Sequence, residues 1–351
     1  MENIGAAEAI GFRQPAEWES HQAVWLAWPS HRELWQDNLQ TAQDEFYGLC
    51  EAISDIDPMT GKARGEFLNI LVPSLAEKEE AEQKLKNLPH RLFEIPFGDI
   101  WLRDTAPIFL KDGKTLAAAC FKFNGWGEKY IMPGDSQVAE RIASQSQARP
   151  LRFSFILEGG SVEVDGEGTV LTSRQCLLNM NRNPEMDQAQ VEKEVCKALG
   201  GQKVLWLQDG LLNDHTDGHI DTIARFVGPA KVLCMKATSV DDPNKEVMEK
   251  IARDLLQFVD AKGRKLTVGF VPSPGRVLNE DGELMPASYL NFYIGNTTVV
   301  VPTYGMPSDQ AAVKAIGEWF PTRRTVGRPA KTILTGGGAF HCISQQQPCG
   351  V

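Results

Sequence analysis

Apolar and polar positions along the chain fall into a recurring unit: an amphipathic helix, a short apolar strand, then a polar loop rich in Gly, Asp or Pro. Residues 35–53 place Trp35, Leu39, Ala42, Phe46, Leu49, Cys50 and Ile53 on one helical face, and the run 67–72 reads as the strand after it. Ser74 and Glu77 form a capping-box pattern that opens a helix to Leu88, followed by a strand at 91–95. The unit recurs as helix 138–144 with strand 151–155, and as helix 187–199, stopped by Gly200 and Gly201, with strand 203–207. Helix 244–259 with strand 266–271, and helix 308–319 with a strand at Thr325 and Val326, complete the series. Further strands are predicted at 115–123, 169–172, 222–227, 231–235, 288–294 and 297–301. The stretch Ile294-Gly295-Asn296-Thr297 carries a hairpin signal.

The loops after five of these units, 99–107, 158–160, 214–221, 272–276 and 336–342, hold most of the chemistry. They recur at intervals of roughly 60 residues, a period typical of repeat architectures. Such a repeat predicts a closed ring of α/β units around a central pocket. A parallel (β/α) barrel would use simpler units with strands of one direction, and the hairpin signals favour antiparallel pairs. Residues 55–65 read as a surface loop. No linker divides the chain, so 1–351 is expected to be one catalytic domain.

Composition narrows the partners. A net charge of −10 argues against nucleic acid or an anionic membrane, which need clustered Lys and Arg, and is compatible with a small cationic substrate. Seven cysteines, odd in number and without a C-x-x-C, argue against a disulfide framework or a zinc ribbon. The stretch 1–8 has no basic region followed by an apolar core, and no apolar run reaches membrane-spanning length. A cytoplasmic protein is expected, and a homodimer is left open.

Three consecutive glycines, Gly336 to Gly338, predict a tight, crowded loop just before His341 and Cys342. A free cysteine is usually a small buried hydrophobe, so Cys342 needs partners before it can be read as a nucleophile. Asp99, Trp101, Arg103 and Asp104 crowd into six residues after an apolar strand, which is costly in a core unless the charges pair. Arg103 bridging a neighbour in a structural turn is the plainer reading. Glu158-Gly159-Gly160 is weak alone. The stretch 214–221 is the densest polar cluster, and His215, His219 and Asp221 could bind zinc. Gly218, however, disfavours the helix that an i, i+4 histidine pair needs. The alternative is general acid/base work by one histidine among carboxylates. On an extended strand leading into 222–227, His219 and Asp221 would point to the same side.

Taken together and in this order, the motifs resemble the agmatine deiminase and bacterial-type peptidylarginine deiminase family of the guanidino-group-modifying (pentein) superfamily. The likeness rests on the opening Pro15-Ala16-Glu17-Trp18 with His21, and on the D-x-W-x-R-D-x-x-P pattern from Asp99 to Pro107. It continues through Glu158-Gly159-Gly160, Arg182-Asn183-Pro184, the Thr216 to Asp221 stretch, Ala287 to Tyr293, and Gly336 to Cys342. It implies a five-bladed α/β propeller. It makes Cys342 the nucleophile, His219 the acid/base, Glu158 the partner of that histidine, and Asp104 with Asp221 the guanidinium-binding pair. Trp101, Arg103 and Asp217 are expected as further substrate contacts. The implied activity is hydrolysis of a guanidino group through a covalent cysteine adduct, foremost agmatine to N-carbamoylputrescine and ammonia, a step of putrescine biosynthesis. Deimination of peptidyl-arginine and amidino transfer are the alternatives. No metal or organic cofactor is expected. One departure is Ala339, where the family typically has Asn, which predicts a polar group missing near the pocket. His215 and His341 are expected to support their loops rather than to catalyse. A deep, largely closed pocket is expected above Cys342, with Trp126, Glu128, Tyr130, Trp25 and Trp28 as candidates for the substrate's far end.

Overall fold

Apolar runs too short for helices become the strands of five small sheets. The computed structural model describes residues 11–113 and 115–350, so the reading of 1–8 lies outside the described residues. The first sheet contains β1 (His21–Ala27), β2 (Phe67–Val72) and β3 (His90–Glu94), all parallel. The second contains β4 (Ile108–Lys111), β5 (Leu116–Lys122) and β6 (Arg149–Ile156). The third is β7 (Val162–Val164), β8 (Thr169–Ser173) and β9 (Lys203–Leu207), and the fourth β10 (Ala224–Gly228), β11 (Lys231–Lys236) and β12 (Thr267–Pro272). The fifth is β13 (Tyr293–Ile294), β14 (Thr298–Thr303) and β15 (Arg324–Pro329).

The last four sheets share one construction. The first two strands pair antiparallel, a helix crosses over, and the third strand lies parallel to the second. The crossover helices Asp135–Gln145, Gln188–Leu199, Lys245–Gln257 and Asp309–Gly317 follow from 3.6-residue apolar spacing. The second of them carries its end signals in full: Asp187 and Gln190 form a reciprocal capping box, and Gly200 ends the helix at φ 70°. The middle strands β8 and β11 are buried along nearly their whole length, as strands covered on both faces are. The first sheet completes the same construction with β16 (Gln345–Pro348), which pairs antiparallel with β1. The end of the described chain is thereby hydrogen-bonded to its beginning. The mixed α/β architecture and the repeat agree with the expected fold class.

Most predicted elements sit within a few residues of their expected places, and the departures are local. The helix opened by Ser74 ends at Leu85. Ser74 accepts from Ala76 N and donates to the Glu77 carboxylate, so the cap closes between side chains. Residues 288–292 are not strand; only Tyr293–Ile294 pairs, because the preceding residues turn to meet Cys342. The strand expected from 222 begins at Ala224, after a 3-10 turn at Ile220–Thr222. His219 and Asp221 are therefore not on one extended strand. Among the described residues, no helix is long and apolar enough to cross a membrane.

Candidate active site

Each of the five connections from one sheet to the next delivers a residue to one place. The β3–β4 connection carries Asp104 in the turn Leu102–Thr105, and the β6–β7 connection carries Glu158 just before the turn Gly159–Ser161. His219 and Asp221 come from the β9–β10 connection, Asn291 from β12–β13, and Cys342 from β15–β16. The five predicted loops are thus the right connections, with one correction. The fourth acts through its far end, Asn291, and not through 272–276.

Close approach of these loops needs glycine. A Cβ on Gly160 would lie 2.6 Å from His219 Nδ1, 3.0 Å from Asp104 Oδ1 and 3.1 Å from Asp221 Oδ2. Three titratable side chains therefore converge on a backbone that cannot carry a side chain. The triple-Gly loop is crowded in the same way: a Cβ on Gly338 would meet Cys342 Cβ and the Trp101 ring, each at 2.8 Å.

Cys342 sits on the floor of a cavity of about 240 Å³. Its thiol donates to Asp221 Oδ2 at 3.5 Å and accepts from Asn291 Nδ2 at 3.0 Å. The Asn291 amide oxygen takes the backbone N–H of Ala339, His341 and Cys342. Both ends of that amide thus hold the nucleophile loop. Burial, then the charges of Asp221 and Asp104, push the Cys342 thiol well above its ordinary range. Asp104 lies beside the thiol in the cavity wall; its Oδ1 accepts from Gly160 N at 2.8 Å and its Oδ2 from Trp126 Nε1 at 2.9 Å. Burial raises Asp104 despite the nearby His219. Burial also works to raise Asp221, but the hydrogen bond and charge of His341, with His219 and Arg225, carry it below the usual carboxylate range. Burial opposes the charge on His219, yet Asp104 foremost, with Cys176 and Glu158, holds its ring well above the ordinary imidazole range.

Several buried polar atoms here have no hydrogen-bond partner: Asp221 Oδ1, Glu158 Oε2 and both ring nitrogens of His219. Glu158 does not bond His219; its Oε1 accepts from Arg182 Nε at 2.7 Å. Among the described residues, two groups of side chains have metal-ligand composition, Glu158 with Cys176 and His219, and Glu17 with Glu163 and His341. In each, an arginine already pairs with a carboxylate, Arg182 in the first and Arg225 in the second. The zinc set considered from sequence is not assembled: His215 lies at the cavity wall among the loops, and His219 belongs to the first of these groups.

Of the remaining predicted contacts, Trp101 lines the cavity. Arg103 and Asp217 do not. The Arg103 guanidinium donates to Gln345 and Gln346, and its backbone N–H to Cys342 O, so the residue ties two loops together behind the site. Asp217 is taken up by Lys129 and Arg182, at 2.6 and 2.7 Å. Ala339 is buried and does not line the cavity, although Gly338 and Cys342 on either side of its loop do. Trp126 and Tyr130 do line the cavity, whereas Trp25 and Trp28 are core residues, Trp28 edge-on to Phe46 at 5.5 Å. Asn291 is the site residue that was not singled out for chemistry. An asparagine in a Ser-Tyr-Leu-Asn stretch carries no chemical signal until its neighbours are known.

The sequence pattern of the Porphyromonas-type peptidyl-arginine deiminase family matches residues 13–348. The chain belongs to this family. Within it, the chain is 36% identical to the agmatine deiminase of Pseudomonas aeruginosa (strain LESB58) over 364 residues, covering 97% of this chain and 96% of that protein. The structure of the agmatine deiminase of Enterococcus faecalis superposes with a TM-score of 0.89 at 31% identity, covering 100% of this chain and 99% of that one. An amidinotransferase from Microseira wollei shares the fold alone, with a TM-score of 0.51 at 12% identity over 97% of this chain and 99% of that one.

Proposed function

We propose that the protein hydrolyses the guanidino group of agmatine, releasing ammonia and N-carbamoylputrescine, with Cys342 as nucleophile. The observation that carries this reading is Asp221 Oδ1, a buried acceptor without a partner on the carboxylate that the thiol touches. A planar guanidinium cation supplies donors along its edges and a charge that two carboxylates can grip through charge-assisted bonds. Asp104 and Asp221 take these bonds. The cation also offsets the charges that keep the thiol protonated, so binding favours the thiolate.

Attack of the Cys342 sulfur on the central carbon forms a C–S bond and a tetrahedral adduct. His219 gives a proton to one nitrogen, which leaves as ammonia, and an amidino-thioether remains. His219, now neutral, takes a proton from water as its oxygen adds to the same carbon. The C–S bond then breaks, the sulfur leaves with the bonding pair, and the ureido product departs. Cys342 and Asp104 line the cavity, and His219 and Asp221 stand buried directly behind them, His219 at 3.8 Å from Asp104 and Asp221 at 3.5 Å from the thiol.

The cavity walls favour a small ligand. Trp101, Trp126, Tyr130 and Trp35 enclose an apolar stem, and Asp99 is an acidic group in the same wall. An α-carboxylate, as in free arginine, would meet that acidic lining. Family membership and the two agmatine deiminase relatives support the same substrate. The test is an activity screen over agmatine, free arginine and an arginine peptide, read by ureido product and ammonia. A specificity constant for the peptide comparable to that for agmatine would overturn the substrate.

A further inference from the structure

The opening Pro15-Ala16-Glu17-Trp18 stretch has no part in the cavity wall, yet it reaches the site from behind. The buried Glu17 carboxylate accepts from Ile294 N on Oε1 at 2.8 Å, and on Oε2 from Arg225 Nη2 at 2.5 Å and His341 Nε2 at 2.9 Å. The other ring nitrogen of His341, Nδ1, lies 2.7 Å from Asp221 Oδ2. One buried imidazole is therefore held end to end between two carboxylates.

Hydrogen-bond bookkeeping fixes the state of that ring. A neutral imidazole has one N–H and one acceptor nitrogen, while an imidazolium donates from both. Against burial, the charge of Arg225 foremost holds the Glu17 carboxyl well below its ordinary range, so it has no proton to donate back. Asp221 Oδ2 also accepts, from the Cys342 thiol. Burying an imidazole between two carboxylates is tolerable when the charges pair.

We propose that His341 is a positioning residue for the deimination: an imidazolium clamped between Glu17 and Asp221 that keeps Asp221 ionised and fixes which of its oxygens is free. With Oδ2 occupied, Oδ1 is the acceptor left over for a guanidinium N–H. The inference rests on the guanidine reading for what Asp221 holds, but the state of the ring does not.

Neutron diffraction from crystals of the substrate-free protein at about pD 8 tests the ring directly. Deuterons on both Nδ1 and Nε2 of His341 are expected, and a bare nitrogen on either side overturns the clamp. The kinetic arm uses Glu17→Gln, which keeps the shape and removes the charge. A KM for agmatine raised about tenfold is expected, the loss of one charge-assisted bond acting through Asp221, with kcat changed far less. An unchanged KM in a variant with a native melting transition overturns the positioning role. Where that variant does not fold, the deuterons decide. Diffraction needs no substrate, so a failure to turn over agmatine counts against the guanidine reading alone.

Discussion

Trp126 donates its indole N–H to Asp104 from a backbone that a tryptophan seldom adopts. Gly125, Trp126, Gly127 and Glu128 have φ values of 70°, 53°, 79° and 67°, so the whole turn is left-handed. A non-glycine residue there costs about 1–2 kcal/mol. Neighbouring bonds hold the turn: Gly127 N to Asn124 Oδ1, Asn124 Nδ2 to Asn181 O, and Lys129 to Asp217. The indole thus forms one wall of the cavity and takes up the outer oxygen of a proposed guanidinium ligand. Trp126→Phe keeps the wall and removes the bond. Its KM for agmatine should rise about tenfold while kcat changes little. Wild-type KM in Trp126→Phe would show that the bond does not order Asp104.

Cys342→Ala should abolish turnover and the covalent adduct, seen by mass spectrometry of enzyme quenched during reaction. Treatment of the wild-type protein with a chelator should leave its rate unchanged. Loss of activity on chelation, restored by added zinc, would point to a metal mechanism instead.

The two proposed guanidinium carboxylates can be separated from the proton carrier. Asp104→Asn and Asp221→Asn should each lower kcat/KM about 10- to 100-fold, the worth of a hydrogen bond to a charged group. His219→Ala should lower kcat by about 100-fold or more. It should leave some adduct trapped, because the nucleophile is intact but water is not activated. His341→Asn should be milder in kcat than His219→Asn, since His341 touches neither the cavity nor the reacting atoms. Equal losses of kcat in folded variants would exchange the two roles.

The free thiol should react slowly at neutral pH. Burial, Asp221 and Asp104 all raise it, so the thiolate appears only as pH climbs past the ordinary cysteine range. Alkylation by iodoacetamide should therefore accelerate steadily between about pH 7 and pH 10. Asp221→Asn removes one opposing charge and should speed alkylation at about pH 7.5 several-fold. Slower alkylation in that variant would mean that Asp221 promotes thiolate formation.

A second pH effect lies outside the chemistry. Asp135 accepts from Gly98 N through Oδ1, while its Oδ2 has no partner, and burial with the nearby Asp99 charge pushes it from 3.8 up to about 7. Because the folded value is the higher one, protonation favours the folded state. Stability from this group is full below about pH 4 and is lost as pH rises through about 7. Asp135→Asn keeps the acceptor for Gly98 and removes the charge. Its Tm should exceed the wild-type value at pH 8 by more than at pH 5, one pKa unit being worth about 1.4 kcal/mol. Parallel Tm curves across that range would contradict the assignment.

The repeat was legible in the sequence because each helix–strand unit has its own apolar period, with end signals added at Ser74 and at Asp187 to Gly200. Residue type and spacing marked the crowded loops at Asp104, His219, Asp221 and Cys342, while the roles proposed for them came from the resemblance to the family. Direction was not. Nothing local says that Arg103 turns toward Gln345 and Gln346, or that Asp217 is claimed by Lys129 and Arg182, since those partners lie far along the chain. Asn291 was hidden for a related reason. The expected strand across 288–294 would have alternated its side chains, whereas the actual turn brings its amide onto the nucleophile loop.

The pairing of β16 with β1 sets a timetable for synthesis. Trp25 donates to Gln347 at 2.8 Å across 322 positions of sequence, and Cys342 stands three residues before β16 begins. Residues 345–348 come after every other described strand in the order of synthesis, so β1 keeps this edge open until they are made. The thiol, three residues earlier, meets its carboxylates only once the strands of the other four sheets exist.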